Sequence, residues 1–339
     1  MMMTVMAEDS STAVLSTLEG TSSEYENNLT KYIDADLRHD TKFEGGGQSD
    51  IFTAVLDCGK LPRGVSAFQQ LYDGPATKTV ALKILRVMAN ADSDRYQIIM
   101  RRLKRETGLW QTLSHDNIVP LFGVYQSPRS PEVDGLVMPL YSGDLKKYLA
   151  AHEDANKLLL LLGTAKGIEY LHTKRLVHGD IKPRNILVTA EGVPMLSDFG
   201  TSRILGMKGY TTNLTTTTTY TAPEILDFDE DDSKTSENKE TPHPLSSYSD
   251  IYSFGMTILE VIDGRAPFYH RRAILVRQIV DGLRPEPKHH PGIDEVNGKI
   301  WILLGQCWER DGKLRPDIGK VMLELQCLAP LDAASSVEA

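Results

Sequence analysis

The chain has 339 residues, 41% of them hydrophobic and 24% charged, a composition typical of a globular protein with a buried core. This length fits one large or two small domains. The formal net charge of -9 argues against a nucleic-acid binder that works by neutralising phosphates. Residues 227–240 hold seven acids and two bases and therefore carry -5 of that charge, which favours a solvated acidic loop.

The cysteines and the lengths of the apolar runs indicate in which cellular compartment the protein resides. The chain has three cysteines, Cys58, Cys307 and Cys327. Their odd number and their spacing fit neither a disulfide framework nor a metal site, which favours a reducing compartment. Residues 1–10 lack the pattern of a secretory signal. The longest purely apolar run, Leu158 to Leu162, is far shorter than the ~20 residues of a membrane helix. We therefore expect a cytoplasmic protein, with the nucleus as the alternative, that binds neither membrane nor nucleic acid.

The first third of the chain predicts a small β-rich region. Residues 1–37 are polar, with few aromatics, and are interpreted as a flexible extension, with structure beginning near Leu37. A glycine turn at 45–47 precedes a strand over 51–56, and a loop over 57–79 follows. Alternation predicts a strand over 80–85, with Val80, Leu82 and Ile84 on one face and Ala81 and Lys83 on the other.

A helix is predicted next, because one side of residues 96–113 carries apolar residues at steps of three and four. Glu106 lies on this stripe, and a carboxylate on a buried stripe requires a partner. Strands are then predicted over 118–125 and 136–139.

From Gly143 onward the pattern is mainly helical. Apolar stripes predict helices over 158–171 and 251–262, and two closing helices over 301–307 and 318–328. Asp144 stands before the first of the helical runs as a candidate N-cap.

Three motifs occur in order in this helical part. They are His178-Gly179-Asp180-Ile181-Lys182-Pro183-Arg184-Asn185, Asp198-Phe199-Gly200 and Ala222-Pro223-Glu224. Phosphoryl transfer requires a positioned acceptor hydroxyl, metal ions on the phosphates and charge neutralisation, for which two aspartates and an asparagine are suited. The set, its order and its spacing resemble the protein kinase family. Within that family, residues 105–119 and the segment Gly143-Asp144-Leu145 look most like tyrosine-kinase-like members.

The resemblance implies roles for the upstream residues. Lys83 would contact the α- and β-phosphates of ATP and pair with Glu106. Gly45, Gly46 and Gly47 would form the loop that covers the nucleotide. Two departures lie in this loop, where Asp50 replaces the third glycine and Phe52 the valine that covers the adenine.

The resemblance also places the hinge at 139–142, with Met138 behind the adenine and the region of Leu140 and Tyr141 bonding to the base. Lys182 is the pattern of serine/threonine-directed members, and Thr217 fits the threonine that turns toward the catalytic aspartate. The threonine-rich run from 211 to 219 is a candidate for phosphorylation, with a flexible polar loop as the alternative.

Three further residues are given structural roles by the resemblance. Asp250 would hold the backbone of the catalytic loop, Arg315 would pair with Glu224, and His178 would be a packing residue. Gly179 is a departure, because most members carry an arginine there that binds the activation-loop phosphate. We therefore predict that loop phosphorylation does not switch activity through residue 179.

The fold implied is α+β and two-lobed, with a protein kinase domain over 38–329 and a tail over 330–339. The β-rich N-lobe would cover 38–138, the helical C-lobe would cover 143–329, and ATP and Mg²⁺ would bind between them. The implied reaction transfers the γ-phosphoryl group to Ser or Thr of a protein substrate by a monomer. Asp180, Lys182 and Asn185 would be catalytic, and Asn185 and Asp198 would hold Mg²⁺. The alternatives are a pseudokinase that serves as a binding or scaffold module, and dual or tyrosine specificity.

Overall fold

A computed structural model of the chain describes residues 28–35, 42–45, 49–62, 71, 74–85, 107–126, 134–199, 203–204, 218–227, 245–271, 276–293 and 298–328. The chain divides into two units, of which the first comprises residues 1–114 and 119–140 and the second comprises 115–118 and 141–339. None of the helices within the described ranges is long and apolar enough to cross a membrane.

The first unit is built on an antiparallel sheet. Its strands are β1 (Ile33–Ala35), β2 (Lys42–Gly45), β3 (Ser49–Asp57), β4 (Thr77–Leu85), β5 (Gly123–Gln126) and β6 (Asp134–Pro139). The order is β1-β3-β4-β6-β5, and β2 also pairs with β3. The predicted strand over 118–125 is wrong in its first half, where Pro120 lacks the N–H that a ladder position needs.

One face of this sheet forms the core of the first unit. Val80, Leu82 and Ile84 are buried on it, as their alternation predicted, and Phe52 and Val137 share the same cluster. The strand register sets Phe52 opposite Leu82 and Leu82 opposite Val137, so the three side chains lie on one side of the pleat.

Residues 28–35 belong to this unit, and the prediction of a flexible extension is wrong for them. Leu29 is fully buried in the core cluster, and its N–H donates to the carbonyl of Val124 at 2.8 Å. The side chain of Asn28 donates to Gln126 at 2.9 Å, and β1 pairs with β3. These partners are remote in sequence, so the polar composition of the segment gave no sign of them.

The segment predicted as a loop over 57–79 also contributes to the core. The strands reach Asp57 and Thr77, so the connection is shorter than predicted. A 3-10 turn follows β3, and Gly59 N–H donates to the carbonyl of Ala76 at 3.1 Å. Leu61 and Leu71 are buried in the same cluster as Leu29.

The second unit is mainly helical. Its helices are α1 (Leu145–Ala151), α2 (Lys157–Thr173), α3 (Pro223–Leu226), α4 (Ser247–Asp263), α5 (Val276–Val280), α6 (Gly298–Cys307) and α7 (Ile318–Leu328). The four helices predicted from stripes after Gly143 correspond to α2, α4, α6 and α7. Most of the helix predicted over 96–113 lies outside the described residues. Asp144 caps α1 as predicted, because its side chain accepts the N–H of Lys147 at 2.9 Å.

Short strands in this unit were not predicted. They are β7 (Leu176–Val177), β8 (Ile186–Val188), β9 (Pro194–Leu196) and β10 (Arg203–Ile204). β8 pairs with β9, and β7 pairs with β10, both antiparallel. The two pairs bracket residues 178–185 and 197–199, which carry two of the three motifs.

Candidate active site

The first motif forms a loop between β7 and β8, and the side chains of Lys182 and Asn185 both contact Asp180. Lys182 Nζ lies 2.6 Å from Asp180 Oδ2. Asn185 Nδ2 donates to the same oxygen at 2.8 Å and to the backbone carbonyl of Asp180 at 2.8 Å. Both side-chain bonds go to Oδ2, so Oδ1 is the carboxylate oxygen that neither of these two side chains occupies.

Asp250 on α4 fixes the backbone of this loop, as predicted. Its carboxylate is fully buried and accepts the N–H of His178 on Oδ2 and that of Gly179 on Oδ1, each at 2.9 Å. His172 Nε2 lies 2.9 Å from Oδ2. A buried carboxylate is costly unless its oxygens are satisfied, so these contacts explain why an acid is tolerated in the core of the unit.

Gly179 adopts a backbone conformation that favours glycine. Its φ is +81°, in the left-handed region where a Cβ costs roughly 1–2 kcal/mol. The glycine at this position therefore has a conformational reason, in addition to the missing arginine charge noted from the sequence.

His178 is a packing residue, as predicted. The ring is fully buried, and its Nδ1 accepts the N–H of Asp180 at 3.2 Å. Nε2 must then carry the hydrogen, which it donates to the carbonyl of Ser197 at 3.0 Å. The ring also lies 5.2 Å from that of Phe199. Both nitrogens are thus engaged, and neither is available as a base.

Asn185 contacts Ser197, the residue before Asp198, at one end of the β8–β9 ladder. Ile186 pairs with Leu196, and the Ser197 N–H donates to the carbonyl of Asn185 at 2.9 Å. Since the amide nitrogen of Asn185 is bonded to Asp180, its oxygen remains for a ligand. Among the described residues no group of three or more His, Cys, Asp or Glu could hold a metal. An amide oxygen with one carboxylate suits Mg²⁺, which is commonly held by one or two protein oxygens together with phosphates.

In the first unit, Lys83 lies on the sheet face opposite the core cluster. The side chain is buried, and Lys83 pairs with Ile51 on β3 and with Leu136 on β6. Met138 is directly opposite Ala81, two residues from Lys83, and therefore lies on the same face. Gly45 ends β2, whereas Gly46, Gly47 and Glu106 lie outside the described residues.

The register corrects the reading of the two departures in this region. Asp50 pairs with Ile84 and Phe52 with Leu82, so both lie on the core face, away from Lys83. The prediction that Phe52 takes the place of an adenine-covering valine is wrong, because Ile51 occupies the Lys83 face instead. A shift of one residue in a strand moves every side chain to the other face.

At the predicted hinge, β6 ends at Pro139, and the division between the units falls between Leu140 and Tyr141. Burial raises the pKa of Tyr141 to about 12, so its hydroxyl stays protonated at neutral pH.

The helix α4 also holds the segment that precedes the third motif. The Tyr220 hydroxyl donates to Glu260 Oε2, and Ser253 Oγ donates to the Tyr220 carbonyl at 2.9 Å. Burial, followed by the nearby Glu260 carboxylate, raises the pKa of Tyr220. Lys146 Nζ lies 3.0 Å from the other oxygen of Glu260. These residues were not predicted, although a carboxylate at 260 beside the apolar stripe of α4 was a usable signal.

The third motif is anchored by the predicted ion pair. Both carboxylate oxygens of Glu224 accept from Arg315, at 2.7 and 2.8 Å. The ring of Tyr252 lies 5.2 Å from the guanidinium of Arg315 and 5.2 Å from that of Arg284. Thr217 and most of the threonine-rich run lie outside the described residues.

Comparison with known proteins agrees with this geometry. The family profile described as Protein kinase domain matches residues 64–324. The chain is 28% identical over 272 residues to serine/threonine-protein kinase STY46 of Arabidopsis thaliana, covering 78% of this chain and 42% of that protein. It is 30% identical over 227 residues to mitogen-activated protein kinase kinase kinase 12 of Rattus norvegicus, covering 66% and 23%.

A third relative carries a different specificity in its name. The chain is 32% identical over 230 residues to megakaryocyte-associated tyrosine-protein kinase of Rattus norvegicus, covering 65% of this chain and 44% of that protein. The chain thus spans less than half the length of each of these three relatives.

Proposed function

Since the chain belongs to the protein kinase family, we propose that it transfers the γ-phosphoryl group of ATP to serine or threonine hydroxyls of protein substrates. Members of this family generally use ATP and Mg²⁺. The observation that carries the proposal is that Lys182 and Asn185 both contact Asp180, on a loop whose backbone donates hydrogen bonds to the Asp250 carboxylate.

Asp180 is the base in this proposal. With Oδ2 held by Lys182 and Asn185, Oδ1 receives the acceptor proton as the hydroxyl oxygen bonds to the γ-phosphorus and the bond to ADP breaks. Lys182 then lies beside the transferred phosphoryl group and offsets its charge.

Asn185 and Asp198 supply the oxygens for Mg²⁺, which when bound neutralises the phosphate charge. In the first unit we assign ATP binding to Lys83 and Met138 on their shared sheet face. Backbone groups of Leu140 and Tyr141 are assigned to the base.

Residues outside the described ranges complete the assignment. Gly46 and Gly47, with Gly45, are proposed to cover the phosphates, and Glu106 is proposed to pair with Lys83. All three cysteines are free thiols, which agrees with the cytoplasmic location that we propose.

The pseudokinase alternative loses its main support. It depended on Asp50 and on Gly179, and the strand register turns Asp50 to the opposite face from Lys83, which leaves Gly179 as its remaining feature. Serine/threonine specificity is supported by Lys182 and by the name of one of the three relatives described above, serine/threonine-protein kinase STY46.

The decisive experiment uses the full chain with radiolabelled Mg-ATP, a peptide library, and the Asp180→Asn variant as control. We expect labelled phosphoserine or phosphothreonine from the wild type and a ~100- to 10,000-fold lower rate from the variant. Equal labelling by both proteins would mean a contaminating kinase. No labelling together with retained nucleotide binding would favour the binding module, and phosphotyrosine alone would refute the assigned specificity.

A further inference from the structure

Two cations flank the pair formed by Tyr220, which is half-buried, and Glu260, which is buried. Glu260 is only 5% exposed, and its oxygens accept from the Tyr220 hydroxyl and from Lys146. Arg184 is exposed and acts on Tyr220 in the sense of lowering the pKa of that phenol, so it lies nearby. The acid of this group is therefore buried, while both of its cations reach the surface.

The charges of this group do not cancel. Lys146 offsets the single negative charge of Glu260, yet 53% of its side chain is exposed and its ammonium has further N–H donors. Within the described part of the chain, Arg184 has neither a hydrogen bond nor an ion pair. Its guanidinium offers five donors in a fork that matches carboxylate and phosphate oxygens. One uncompensated positive charge therefore remains at this surface.

The position of this charge relates it to the substrate. Arg184 directly precedes Asn185, whose amide contacts Asp180 Oδ2 at 2.8 Å. The turn Pro183–Asn185 packs against both α1, which carries Lys146, and α4, which carries Glu260. An extended peptide advances about 3.3 Å per residue, so we infer that these cations meet side chains two to four residues from an acceptor at Asp180.

We propose that Lys146 and Arg184 form a basic subsite that selects substrates with an anionic side chain two to four residues from the acceptor. The inference rests on the proposed function and adds a substrate class to it. The shared chemistry is an oxyanion, which a substrate supplies either as a carboxylate or as a phosphate from an earlier phosphorylation.

The test uses one acceptor peptide with Asp, phosphoserine, Ala or Lys placed in turn at each position from four before to four after the acceptor. We expect wild-type kcat/KM to be about 3- to 10-fold higher with Asp than with Lys at the responsive position, mainly through KM. The difference should shrink as salt rises from about 0.05 to 0.5 M, because exposed charges are screened. A gain with both anions assigns carboxylate recognition, and a gain with phosphoserine alone assigns phosphate recognition.

Three variants separate the subsite from a general charge effect. Arg184→Glu should reverse the order of Asp and Lys peptides, and Lys146→Met should reduce the preference about 2- to 5-fold. Lys166→Glu changes the charge equally at an exposed lysine on α2 and should leave the order unchanged. Equal rates for all peptides, preference for Lys peptides, or the same behaviour of Arg184→Glu and Lys166→Glu would overturn the proposal.

Binding keeps this test separate from that of the proposed function. Fluorescence anisotropy of labelled Asp and Lys peptides is measured on the same proteins, whether or not phosphorylation is found. Tighter binding of the Asp peptide, reversed by Arg184→Glu, supports the subsite even if no transfer occurs. Indifferent binding refutes the subsite even if transfer is robust.

Discussion

The backbone of Gly179 leads to a prediction with a matched control elsewhere in the same unit. Gly179 has φ +81° in the catalytic loop, and Gly264 has φ +83° at the C-terminus of α4. A Cβ on Gly264 would meet nothing within 4 Å, so Gly264→Ala isolates the conformational cost. That cost is roughly 1–2 kcal/mol for a left-handed alanine.

We expect Gly179→Ala and Gly264→Ala to lower the free energy of unfolding by comparable amounts, measured by urea denaturation. Only Gly179→Ala should also lower kcat. The backbone at residue 179 relieves the strain by rotating. This rotation weakens the hydrogen bond from the N–H of residue 179 to the Asp250 carboxylate and displaces the adjacent Asp180. Each 1.4 kcal/mol lost from that placement in the transition state corresponds to a tenfold decrease.

Comparing kcat and the free energy of unfolding between the two variants tests this prediction. Equal kcat in the wild type and Gly179→Ala, with similar unfolding losses in both variants, would refute the view that the left-handed glycine positions the base. A loss of kcat in Gly264→Ala of the same size would show that global stability, rather than loop geometry, limits the assay.

Three further predictions concern stability. Leu29→Ala should cost ~2–5 kcal/mol in urea denaturation, because Leu29 is fully buried, and no loss would remove this segment from the domain. Arg315→Met should cost about 3 kcal/mol, at the low end for a broken buried pair because Glu224 is 30% exposed, and an unchanged midpoint would contradict this. With the pKa of Tyr141 raised from 10.0 to about 12, the folded state holds the phenolic proton more tightly than the unfolded state. Stability should therefore fall as pH rises from 10 to 12, less so in Tyr141→Phe, and identical pH profiles would refute the assignment.

The catalytic loop and the long helices were predictable because their signals are local. The α7 helix begins at Ile318 and ends at Leu328, the bounds that its apolar stripe predicted, because an amphipathic period persists over several turns. The Asp250 and Arg315 contacts followed from the resemblance, and the structure confirms both.

The errors and omissions arose where a remote partner decides the structure. Leu29 is buried by strands that follow it by 20 residues or more, and Tyr220 meets Glu260 across 40 residues. Strands of two or three residues, such as β7, have no measurable period and exist only through their partner. The assignment of Phe52 depended on the register of β3 against β4, which could not be predicted from the sequence alone.

The helix α4 arranges its polar contacts along one stripe. Asp250 holds the catalytic loop, Ser253 and Glu260 hold Tyr220, and Thr257 Oγ1 approaches the carbonyl of Ile181 at 3.5 Å. Steps of three and four along a helix keep such residues on one side. The loop that carries Asp180 and the segment that carries Tyr220 are therefore both held by this one stripe, and substitutions within the stripe would displace both together. Changes in the proposed substrate preference would evolve more readily at Lys146 and Arg184. Both residues lie outside the polar stripe of α4, so their substitution leaves the spacing of that stripe unchanged.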